Sequence, residues 1–108
     1  MNIDPNEAIN FMIKNSEAYA NAKAQVVYLT EYRKTVKALG FQRSLKNTMA
    51  EKEADAYTTV EYATCVEGLK EAVAEAERLR WMLVAAQARV DVYRTQEASN
   101  RNIDRNTQ

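Results

Sequence analysis

The sequence predicts an all-α fold: an antiparallel two-helix hairpin that dimerises into a four-helix bundle. Three observations carry this. First, the 108 residues include only two Gly and one Pro, which leaves little turn chemistry. Second, across residues 59–98 the apolar positions Tyr62, Val66, Leu69, Val73, Ala76, Leu79, Leu83, Ala86, Val90 and Tyr93 recur at steps of three and four. That is the spacing of one helix face. Third, charge falls in blocks of alternating sign. Residues 32–50 hold five cations and no acid, whereas residues 51–77 hold eight acids and two cations. Folding the chain near residue 55 sets the basic block beside the acidic one, and the acidic first third beside the basic last third. Exposed pairs contribute only about 0–1 kcal/mol each, so the pattern selects orientation more than it stabilises.

The first helix is expected over residues 5–52. Asp4-Pro5-Asn6-Glu7 supplies an N-cap, a proline at the first helical position and an acid closing the capping box. Ile3 is placed to staple onto Ala8. Ile9, Met12, Ile13, Tyr19, Ala20, Val26 and Val27 form its apolar side, which shifts to Leu29, Tyr32, Val36 and Leu39 further on. Gly40-Phe41 leaves two alternatives, a Schellman-type stop or a kinked helix continuing through Leu45 and Met49. Residues 51–57 read as the turn. Thr58 with Glu61 then reads as the capping box of the second helix, expected over residues 59–98. Residues 1–98 form one helical-hairpin domain, and residues 99–108, rich in Asn and Arg, read as a frayed or disordered tail.

Composition excludes several function classes. Net charge is zero, with 15 cations and 15 acids, which argues against a strongly basic DNA binder and against an acidic DNA mimic. No His is present, so the usual general base and the usual zinc ligand are missing. Glu67, Glu71 and Glu75 stack at successive helical turns, but carboxylate metal sites in bundles normally recruit Glu-x-x-His pairs. Cys65 is the single cysteine and has no second Cys or His to activate it, so it reads as a small buried residue in a reducing compartment. No catalytic, cofactor-binding or metal residue is assigned. The longest apolar run is Trp81-Met82-Leu83-Val84-Ala85-Ala86, far short of a bilayer span, and the N-terminus lacks the pattern of a signal peptide. A cytoplasmic protein with no membrane partner is expected.

Three groups of residues are candidates for interaction. Trp81, Val84, Ala85, Ala88 and Val92 lie off the main stripe, so the second helix is apolar on more than one side. A second copy would cover that face, unless Trp81 simply sits exposed at the rim. Arg89, Arg94 and Arg101 belong to a C-terminal series in which every cation after Lys70 is Arg, the residue favoured at interfaces. Tyr28, Tyr32, Arg33, Lys34, Lys37, Arg43 and Lys46 interleave aromatics with cations, the composition of a single-strand nucleic-acid binder. Against that, the cations are expected to pair internally with Glu67, Glu71, Glu75 and Glu77.

A resemblance adds a setting. It rests on the opening Met-Asn-Ile-Asp-Pro-Asn-Glu-Ala-Ile-Asn-Phe-Met-Ile-Lys-Asn and on Ala-Lys-Ala-Gln-Val-Val-Tyr-Leu-Thr-Glu-Tyr-Arg-Lys. It continues in Leu-Arg-Trp-Met-Leu-Val-Ala-Ala-Gln-Ala-Arg-Val-Asp-Val-Tyr-Arg-Thr-Gln-Glu-Ala-Ser-Asn-Arg. Together these stretches resemble a family of small uncharacterised proteins of tailed bacteriophages and prophages, encoded near early-region recombination functions. The likeness is weakest over residues 40–57. It implies a non-enzymatic accessory protein that binds a host or phage protein of DNA recombination or replication, and it carries over no catalytic residue. Direct single-strand binding is the alternative.

Overall fold

The structure, a computed structural model, describes residues 4–107. It is helical throughout its three elements: α1 Pro5–Arg43, α2 Met49–Tyr57 and α3 Val60–Thr107. The described residues form two units. One is Ala20–Glu77; the other joins the described residues up to Tyr19 with those from Arg78 on.

α1 starts as its sequence dictates. The Asp4 carboxylate accepts from the backbone N–H of Asn6 at 2.9 Å and of Glu7 at 3.4 Å, satisfying two of the unpaired donors of a helix start. The expected Ile3 staple lies outside the described residues. α1 ends at Arg43, not near residue 52, and Gly40 neither stops nor kinks it. A Cβ added at Gly40 would lie 3.1 Å from the Cα of Ala56 and 3.4 Å from the Thr59 methyl. Glycine is there because α1 and the α2–α3 corner touch at backbone distance.

Residues 51–57, expected as the turn, are helical, and this is the largest correction to the sequence reading. Thr48 caps α2 by accepting from the Glu51 N–H at 3.1 Å, so Thr48-Met49-Ala50-Glu51 is itself a capping sequence. Thr58 closes α2, its N–H donating to the Asp55 carbonyl at 3.1 Å. The cap of α3 is therefore Thr59, which accepts from the Tyr62 N–H at 3.1 Å, and not Thr58. α3 runs past residue 98 through Thr107, so the tail expected to fray is helical, with residues 98–106 exposed on every side.

Within Ala20–Glu77 the long helices run antiparallel. Leu29 faces Cys65 and Gly68, whereas Gly40, further along α1, faces Thr59, earlier on α3. In the other unit, Ala8 and Ala86 are both buried, and Glu7, Ala8 and Phe11 of α1 line a hollow with Met82, Ala85, Ala86 and Arg89 of α3.

Screened positions on α3 include Tyr62, Cys65, Leu69, Ala72, Ala76, Leu79, Leu83, Ala86, Val90, Tyr93 and Glu97. The steps alternate three and four without a break, a 3.5-residue repeat that marks a coiled-coil seam. Val66 and Val73, expected on the stripe, stand beside it and are exposed; Cys65 and Ala72 take their places. α1 follows the same repeat through Ala8, Met12, Asn15, Tyr19, Ala22, Val26, Leu29, Arg33, Val36 and Gly40. Ile9, Ile13, Val27, Tyr32 and Leu39 flank it and are exposed. The seam sets small residues, among them Ala8, Ala22, Ala72, Ala76 and Ala86, between Val and Leu along the line of contact. Four of the seven buried apolar residues are alanine, and among the described residues no large side chain is fully buried.

Candidate interaction surfaces

The basic-aromatic segment does not assemble into one groove. Tyr28 and Tyr32, one turn apart on α1, stack with ring centroids 5.7 Å apart and planes 7° from parallel. Both are exposed, and with Val27, Glu31, Lys34 and Thr35 they line a shallow strip. The Lys34 ammonium turns to Glu31 on its own helix, 3.2 Å away. Arg33 and Lys37 line a separate hollow with Tyr57 and Tyr62. There Lys37 donates to the Tyr57 hydroxyl at 2.6 Å and to Glu53 at 3.1 Å, and its ammonium lies 4.4 Å from the centre of the Tyr57 ring. These bonds to Tyr57 and then Glu53 hold the Lys37 ammonium above the usual lysine range.

The acids expected to neutralise this block were those of α3. Instead Glu53 of α2 takes Lys37, and Glu67 meets Lys70 three residues on along α3. Sequence reasoning missed this because it took α2 for a turn.

Arg43 opens onto a concavity of about 490 Å³ at the corner where α1 ends. Tyr32, Leu39, Ser44, Asp55, Thr59 and Glu61 are among its walls. The Ser44 hydroxyl donates to Asp55 at 2.8 Å and accepts from the Lys46 N–H at 3.2 Å, which ties the α1–α2 link to α2. Lys46 itself is exposed on that link.

The Trp81 group is arranged differently. Trp81 is 59% exposed, Val84 47% and Val92 45%, and Ala85 and Ala88 are exposed between them. They lie on α3 away from the seam residues Leu79, Leu83, Ala86 and Val90. The Arg80 guanidinium sits 4.9 Å from the indole centre, and Gln87 donates to Asp91 at 3.1 Å. Of the C-terminal arginines, Arg94 and Arg101 share a stripe two turns apart, whereas Arg89 stands apart from them beside Phe11 and Met82.

Comparison with known protein families, with curated proteins and with solved structures finds no match to this chain. Cys65 is buried with its thiol 3.9 Å from the Leu29 carbonyl. Among the described residues, no three or more His, Cys, Asp or Glu side chains gather as a metal-binding group. No helix among them is long and apolar enough to cross a membrane.

Proposed function

We propose that this chain is a non-enzymatic helical accessory protein that self-associates and acts by binding another protein. The observation that carries the reading is the Trp81 face, left exposed on α3 after the seam with α1 has formed. A protein that keeps a Trp and two Val in water on one helix face has a surface suited to association. The second contact is the Arg-rich end of α3, with Arg89, Arg94 and Arg101 offering forked donors to carboxylates. The resemblance to phage early-region proteins supplies the setting: the cytoplasm of a bacterial host, and a partner drawn from DNA recombination or replication.

Two measurements test this. Sedimentation equilibrium at tens of micromolar is expected to give twice the chain mass or more. Affinity capture from an infected host, with nuclease treatment, is expected to retain a recombination or replication protein, and Arg94→Glu with Arg101→Glu is expected to release it. A clean monomer that captures nothing overturns the reading.

The exposed Tyr28–Tyr32 stack beside Lys34 favours a second reading, single-strand nucleic-acid binding. It requires binding that weakens steeply with salt and is lost in Tyr28→Ala with Tyr32→Ala. The engagement of Lys34 by Glu31 and of Lys37 by Glu53 places it second.

A further inference from the structure

We propose that the Trp81 face of α3 takes the same face of a second copy, running antiparallel, with Ala85 of each chain against Ala88 of the other. The proposal rests on the self-association above and adds its occupant, direction and register.

The face reads large, small, small, large: Trp81, Ala85, Ala88, Val92 at steps of four, three and four. Those are the steps of the intramolecular seam, so a second helix can lie along them in the same way. Reversed end to end, the pattern is its own complement. About a two-fold axis midway between Ala85 and Ala88, each Trp81 meets the other chain's Val92, and the alanines cross where the backbones come closest. An isologous contact needs this self-complementarity, and a foreign partner would not require it.

Charge selects the direction. Arg80 stands at one end of the face and Asp91 at the other. Parallel pairing in register sets Arg80 beside Arg80 and Asp91 beside Asp91. Antiparallel pairing brings each Arg80 within about one helical turn of the other chain's Asp91. The Arg80 guanidinium lies 4.9 Å from the centre of the Trp81 ring, at the end of the face.

The test uses the full chain in a Cys65→Ser background, with two variants, Ala85→Cys and Ala88→Cys. Oxidised as a one-to-one mixture, they are expected to give a covalent heterodimer in several-fold excess over either alone. Each variant crosslinking to itself overturns the direction. Sedimentation comes first: a monomer sinks this proposal and the self-association reading together. A dimer that persists in Trp81→Glu with Val92→Glu, at unchanged helix content, overturns this face and leaves self-association standing. Trp81 is the one tryptophan, so its emission is expected to move to shorter wavelength as concentration rises. A shift seen only on adding anionic vesicles, with the chain monomeric, refutes the proposal in favour of a lipid surface. Arg80→Asp or Asp91→Arg alone is expected to weaken the dimer about two- to fivefold, and the pair together to recover it. No loss in either single variant counts against the antiparallel register.

Discussion

Both units of the chain bury apolar residues, and they differ in what surrounds them. Ala20–Glu77 buries Val36, Ala56, Cys65 and Ala76, and directed bonds close its corner: Ser44 to Asp55, and Lys37 to Glu53 and Tyr57. The other unit, from α1's first turns and α3 beyond Arg78, has its buried apolar residues in Ala8, Leu79 and Ala86. It also carries the exposed Trp81 face. One unit fixes its geometry by closing a corner, and the other leaves a surface that a second chain is suited to cover.

Five substitutions would break or sharpen that contrast. The largest effect is expected at Leu79, 4% exposed and the largest side chain among the buried seam residues. Leu79→Ala should cost about 2–5 kcal/mol, at the lower end if the alanine-lined seam collapses around the gap, read from urea unfolding. Next come the two glycines, which should move in opposite directions. Gly40→Ala gains helix propensity but drives a methyl to 3.1 Å from the Ala56 backbone, so net destabilisation is expected. Gly68→Ala meets only the Leu29 methyl at 3.9 Å and should stabilise by up to about 1 kcal/mol. Equal and favourable melting shifts for both would show that the corner is loosely packed.

Thr48→Ala should cost about 1 kcal/mol, felt as faster amide exchange across α2. If exchange in α2 does not change, the helix is held by packing of Ala56 and not by its cap. The smallest effect is at alkaline pH. The folded pKa of Lys37 is raised, so its contribution is fully present below the unfolded value near 10.5 and is lost as pH climbs through the folded one. The melting difference between the native chain and Lys37→Met should hold constant from pH 7 to about 9 and narrow above 10.5. A gap that stays constant through pH 11 would show that the loss comes from packing on the Tyr57 ring.

Much of this architecture was legible in the residues. Asp4-Pro5 started α1 where expected, and the second helix followed from its apolar steps, because caps and periodicity are local. The all-helical class followed from the scarcity of Gly and Pro. What was misread follows one physical cause. Hydrophobicity marks the bulkiest residues, so Val66, Val73, Ile13 and Val27 were expected inward. The seam instead takes the small Cys65 and Ala72 beside its Leu and Val, and it admits Asn15 and Arg33, the Asn15 amide donating to the Phe11 carbonyl. The strict 3.5-residue step was present in the sequence but hidden by these polar and small members. α2 was hidden for another reason: at nine residues it is too short to show a period, and only Thr48 and Glu51 announce it. Of the candidate residues, the Trp81 group shares one exposed side of α3 because its members follow helical spacing. The basic-aromatic group does not, because adjacent residues on a helix point to different sides.

The alanine-lined seam has a calorimetric consequence. Heat capacity rises on unfolding mainly through newly hydrated apolar surface, about 1.3–1.6 kcal/mol/K for an ordinary globular chain of 108 residues. A chain that keeps Trp81, Val84, Val92, Val27 and Ile13 in water when folded has less such surface to hydrate. At high dilution its stability should therefore vary little with temperature, a shallow curve without a sharp optimum. Raising the concentration should deepen that curve as the second copy brings its own apolar surface out of water.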